Sequence, residues 1–250
     1  MAGGLSDGLV PAAALLLGPL LVVSMIIINA LAVNSITNER DGQALDLLLV
    51  SEITPSKFIF GKMLGILYVA KEMVVFPIAL SIWMYLADEL SGENLFFLVF
   101  GLLVVDIFVA MLGLHCGMVY SRSTTAIGTS LGTVFFLFLG ILTCMLIMIS
   151  FRGSFGRQLA PFLAIILGGG TGLYVALGSR NPSPAITLAA FGLPFLTFFA
   201  ITSFILRGQE LTVFSTVSVA YGFATLAMMI PALSEFEFSF GRSQAAGHEG

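Results

Sequence analysis

The sequence predicts an all-α polytopic membrane protein of six to seven transmembrane helices, with a short amphipathic cytoplasmic helix after the first span. Three observations predict it. Hydrophobic residues make up 58% of the 250-residue chain and the mean hydropathy is +1.06, more apolar surface than a water-soluble core of this length could bury. Charged residues are only 10% of the chain, and the polar stretches divide it into apolar blocks close to the ~20 residues that cross a hydrocarbon core. One segment, residues 38–65, gathers Glu39, Arg40, Asp41, Asp46, Glu52, Lys57 and Lys62 between two such blocks.

The first block, residues 9–33, is free of charge and long enough for a tilted span. Its opening lacks the positive start of a signal peptide, so it is expected as a retained span. Next, Asp41 and Gly42 precede Leu45, Leu48 and Leu49, whose i, i+3, i+4 spacing puts them on one helical face. A joining loop at the interface is the other reading of this stretch. Thr54 and Pro55 then supply an N-cap and a first helical position for a second helix.

The second span is expected at 63–87, with Lys71 and Glu72 inside it, where charge is costly and marks a functional hypothesis. The alternative for Lys71 is a long stem that carries its ammonium to the interface. A short acidic loop leads to a third span at 95–120, carrying Asp106 near its middle and His115 near its end. An antiparallel neighbour could bring Asp106 toward Lys71 and His115 toward Glu72. Further spans follow at 126–150, 159–178, 185–206 and 211–233, separated by polar or Pro-containing turns. Gly168 and Gly172 have the spacing that permits close helix approach in lipid. The tail, 234–250, is expected to be flexible. The whole chain is thus one transmembrane domain, 1–250.

Several classes are disfavoured. Ten scattered Lys and Arg against a net charge of −4 give no basic face for nucleic acid. Cys116 and Cys144 lie in apolar runs without ligand spacing, which reads as two small buried hydrophobes, with no metal site. A nucleotide-binding GxxxxGK[ST] loop is absent: Gly61-Lys62 is followed by Met63, and Ser56 stands where the first Gly would be. No catalytic cluster is evident, so the chain reads as no enzyme and as holding no cofactor.

The run Glu39-Arg40, Gly42, Leu45-Asp46-Leu47-Leu48-Leu49, Ile53-Thr54-Pro55-Ser56 and Gly61-Lys62-Met63-Leu64-Gly65 resembles the cytoplasmic signature of ABC-transporter permeases of the exporter class. Gln43 stands where that family usually has Thr, and Asp46 where it has Glu. A second likeness covers Met111-Leu112-Gly113-Leu114 and Ser121-Arg122-Ser123-Thr124-Thr125-Ala126. The resemblance implies a membrane subunit of an ATP-driven exporter in a bacterial cytoplasmic membrane, with ATP bound by a separate ABC ATPase subunit. It implies a second permease copy or a homologue as partner beside the lipid bilayer. It assigns ATPase coupling to Glu39, Arg40, Asp41, Gly42, Leu45, Asp46, Leu48, Leu49, Pro55 and Lys62. One departure stands out, because that signature usually follows two spans and only one precedes it here.

The competing reading is an ion- or proton-coupled secondary transporter using Lys71, Glu72, Asp106 and His115 as an intramembrane relay. A membrane anchor without a path of its own is a third. With seven spans and the N-terminus outside, Arg40, Lys57, Lys62, Arg122, Arg180 and Arg242 fall on one side and Arg152, Arg157 and Arg207 on the other. The positive-inside rule makes the first side cytoplasmic.

Overall fold

A computed structural model describes residues 12–42, 54–150, 155–178 and 183–247, with side chains described from 17 in the first helix, from 159 after the 150s, and up to 233 near the end. The described residues are helical apart from short turns. α1 is Ala12–Asp41, α2 Pro55–Val69, α3 Lys71–Leu86 and α4 Gly92–Val119. α5 (Ser123–Phe135) passes through a π-helical turn (Phe136–Gly140) into α6 (Ile141–Ser150). α7 is Phe155–Gly178, α8 Pro184–Arg207 and α9 Glu210–Gly247. Six spans pass on length and composition alone, and α2 with α3 forms a pair bent by 60°.

α4 is the centre of the bundle. It is apolar all round, the pattern of a helix buried on every side, and from Val105 to Val119 nearly every residue is buried against α1, α5 or α9. Close approach to α1 depends on two glycines one turn apart. A Cβ at Gly113 would lie 2.5 Å from the Ala32 Cβ and 2.8 Å from the Asn29 carbonyl, and one at Gly117 3.0 Å from the Ile36 Cβ. On the far side Tyr221 of α9 is fully buried: it meets Phe108 edge-on at 4.8 Å, stacks on Phe138 of the π-helical turn at 5.6 Å, and shares a 2.7 Å hydrogen bond with Thr197 of α8.

Among the described residues, the small-residue spacing expected at Gly168 and Gly172 makes no packing contact. Neither has an atom within 4 Å of a built Cβ; the crowded positions are Gly169, against the Phe136 ring, and Gly170, against Phe191. Helical periodicity turns those two glycines toward the π-helical turn and α8 and leaves the others facing outward.

The contacts decide how often the chain crosses. Arg40, at the end of α1, reaches the end of α4, so those two ends share one face of the bundle. α4 has 28 residues and at 1.5 Å per residue spans roughly 42 Å, placing Gly92 at the opposite face. The bent α2–α3 pair must therefore carry the chain across. Its course agrees: Lys62 of α2 meets Glu39, and Ser24 of α1 donates to the Met73 carbonyl of α3 at 2.9 Å. It is one broken span, not a re-entrant loop. α7 ends on the Arg40 face, where the Tyr120 hydroxyl donates to the Ala176 carbonyl at 3.0 Å, and α9 starts on the other, where Asn94 donates to Glu210 at 3.2 Å. The result is seven crossings with the 120–122 turn on the side of Arg40, the topology of the positive-inside count.

Three expectations change in detail. α1 runs on to Asp41 rather than ending at 33, so Glu39, Arg40 and Asp41 belong to its last turns. The expected second span at 63–87 starts earlier, at Pro55, and breaks at Ala70. The 234–247 stretch, expected as a flexible tail, continues α9 as helix. The expected amphipathic helix after the first span, with Leu45, Asp46, Leu48 and Leu49, lies outside the described residues.

Candidate functional site

Three consecutive residues end α1, and each reaches a different element. In an α-helix successive side chains point about 100° apart, so the last turn of a helix surrounded by neighbours can contact several at once. Glu39 pairs with Lys62 of α2, whose ammonium also donates to the Ser35 carbonyl at 3.1 Å and lies 5.7 Å from the Phe58 ring centroid. Arg40 donates through one terminal nitrogen to the carbonyls of Gly117, at 3.1 Å, and Tyr120, at 2.5 Å. Asp41 accepts a 2.7 Å hydrogen bond from the Ser123 hydroxyl and lies 3.5 Å from the Arg40 guanidinium.

The local reasons lie in helix ends. The last carbonyls of α4 have no intrahelical donors and carry the negative end of its dipole, so a guanidinium is favoured there. The first residues of α5 carry the positive end, where an anion is favoured. α5 itself supplies none: its N-cap, Arg122, makes no capping hydrogen bond, and its first turn has no acidic residue. α2 starts as its sequence indicates, with extended Thr54 followed by Pro55. The Thr54 side chain makes no capping bond to the helix; its hydroxyl lies 3.4 Å from that of Ser56.

Between α1 and α2 lies an open groove of about 740 Å³. Leu31, Phe58, Ile66 and Val69 form its apolar part, and Asn38, Glu39, Lys57 and Lys62 its polar end. Gly61 and Gly65, with open space at both Cβ positions, keep it clear.

The structure does not assemble the four intramembrane charges into a relay. Lys71 and Glu72 are exposed at the break between α2 and α3, with the Lys71 ammonium 4.8 Å from the Tyr68 ring centroid. Asp106 is fully buried on α4, and neither carboxyl oxygen is hydrogen-bonded among the described residues. His115 meets the Leu177 carbonyl of α7 at 2.9 Å. The expected pairings of Asp106 with Lys71 and of His115 with Glu72 do not form. The bend at Ala70 and the outward face of α3 keep the first pair of residues away from α4.

Sequence reasoning missed Asn29 and Ser123. Asn29 is buried on α1 and its amide donates to the Val109 carbonyl at 3.1 Å and the Ser130 hydroxyl at 2.7 Å, tying α1 to α4 and α5. A lone Asn inside an apolar block was the available signal, since a buried amide in a membrane needs partners. Gly113 and Gly117 were likewise visible as a small-xxx-small pair. Ser123 could not have been found, because its role depends on a residue 82 positions away.

Residues 12–166 match the sequence profile of a family described as ABC-2 family transporter protein. No curated protein and no solved structure matches the chain.

Proposed function

The chain belongs to the ABC-2 family of transporter membrane proteins and is a multi-pass permease subunit; from that premise we propose that it is the membrane half of an ATP-driven exporter whose energy comes from a separate ABC ATPase subunit. One observation carries the reading. The signature residues Glu39, Arg40, Asp41 and Lys62 gather on the lysine- and arginine-rich face of the bundle, on the two helices that flank the 43–53 segment in sequence. That segment, with Leu45, Asp46, Leu48 and Leu49, is the docking surface for the ATPase, and the charges on the helices that flank it bind those helices to each other and to the bundle. Two copies of the chain, or one copy and a homologue, enclose the export path. The setting is a bacterial cytoplasmic membrane, and ATP binds only the partner subunit.

The test is co-purification in detergent. The tagged chain is expected to bring down an ATPase subunit, and a version with Leu45→Ala, Asp46→Ala and Leu48→Ala is expected to lose it while still inserting and folding. Absence of any ATPase from the folded parent chain would end this reading.

A further inference from the structure

The α4–α5 turn keeps one local cap, the Tyr120 N–H on the Cys116 carbonyl at 3.0 Å, and is otherwise fastened at both ends by side chains of α1. Arg40 satisfies the carbonyls at the end of α4, Asp41 binds the first side chain of α5, and the two are ion-paired to each other. The sequence separations are 77, 80 and 82 residues, so each of these fastenings is tertiary. Glu39 fastens α1 to the middle of α2 through Lys62. The last turn of α1 is therefore fastened to α2, α4 and α5 by three successive side chains, and Gly42 and the 43–53 segment follow directly.

We propose that residues 39–41 distribute motion from the 43–53 segment to three helices at once, with Arg40 and Asp41 as positioning residues that make the 120–122 turn move as one body with the end of α1. This rests on the docking reading of 43–53 given above. Force applied there reaches α5 through the Arg40–Asp41 pair without passing through the packed middle of the bundle. A guanidinium suits the task, because its planar fork can serve two carbonyls and a carboxylate together, which a lysine ammonium does less well. The pair is partly exposed, with side-chain accessibilities of 26% and 59%. Its role is thus to fix geometry, and its contribution to stability is modest.

The experiment uses the full chain with its co-purified ATPase, spin-labelled at Asn38→Cys and Ser121→Cys, both exposed positions near the clamp. Distances between the labels are measured without nucleotide and with ATP plus vanadate. In the parent the separation is expected to stay unchanged between the two states, while a third label at Gln209 reports that the bundle has moved. In Arg40→Gln, and in the milder Ser123→Ala, a nucleotide-dependent shift in the 38–121 distance is expected, with the ATPase still bound. The same unshifted distance in both variants would overturn the proposal. So would loss of the ATPase from Arg40→Gln, because Arg40 would then be a docking residue. Failure of the parent to hold an ATPase is a different result, and defeats the docking reading itself.

Discussion

Lys62 of α2 and Glu39 of α1 form an ion pair at the Arg40 end of the bundle, with side-chain accessibilities of 19% and 31%. Such a pair sits between the exposed case, worth up to about 1 kcal/mol, and the buried one, where breaking it costs about 3–5 kcal/mol. Lys62→Met and Glu39→Gln are each expected to destabilise the protein by about 1–3 kcal/mol, read as a lowered unfolding temperature in detergent. The exchanged pair, Glu39→Lys with Lys62→Glu, should recover part of that loss. No recovery would mean that the Ser35 carbonyl, and not Glu39, is the partner that matters.

Gly113 and Gly172 make a contrasting pair. A methyl group at Gly113 collides with Ala32 and the Asn29 backbone, whereas one at Gly172 meets nothing. Gly113→Ala should cost about 1–3 kcal/mol by overpacking, and Gly172→Ala should be neutral or slightly stabilising because alanine favours helix. Equal unfolding temperatures for the two variants would contradict the α1–α4 packing.

Asp106→Asn should leave the nucleotide-driven response intact and stability within about 1 kcal/mol of the parent, since the carboxyl makes no hydrogen bond for the change to break. The relay reading requires the opposite. Loss of the response in a folded, ATPase-bound Asp106→Asn variant would restore it.

Ser91 and Gln209 share the face opposite Ser121, and the positive-inside count predicts that Ser121 is on the cytoplasmic side. The native cysteines, Cys116 and Cys144, are both buried, so single cysteines can be introduced on the native background. In intact cells a membrane-impermeant maleimide should label Ser91→Cys and Gln209→Cys and spare Ser121→Cys. Labelling at Ser121 and not at Ser91 would reverse the orientation.

Tyr221→Phe removes the hydroxyl that Thr197 shares, between two helices at the packed middle of the bundle. Hydrogen bonds between membrane helices average about 0.6 kcal/mol and reach about 1.7. The variant is expected to fall in that range by thermal unfolding, while Tyr221→Ala, which also empties the contacts with Phe108 and Phe138, should cost several times more.

Hydropathy alone determined that this chain is an all-helical membrane protein and placed most of its spans, because a bilayer leaves helices as the solution for long apolar segments. The lysine and arginine count gives their expected orientation. The motif around Glu39, Pro55 and Lys62 pointed to the ABC permease family. Only the tertiary structure decided that the α2–α3 pair is one broken span, since that follows from which helix ends meet and not from how apolar they are. It likewise decided that Gly113 and Gly117, and not Gly168 and Gly172, carry a close approach, because spacing places glycines on one face without saying what that face meets. The separation of Lys71 and Glu72 from Asp106 and His115, and the fastening of the α4–α5 turn by Arg40 and Asp41, were beyond the sequence for the same reason. Charges far apart in the chain find or miss one another through packing, and local pattern carries no record of it.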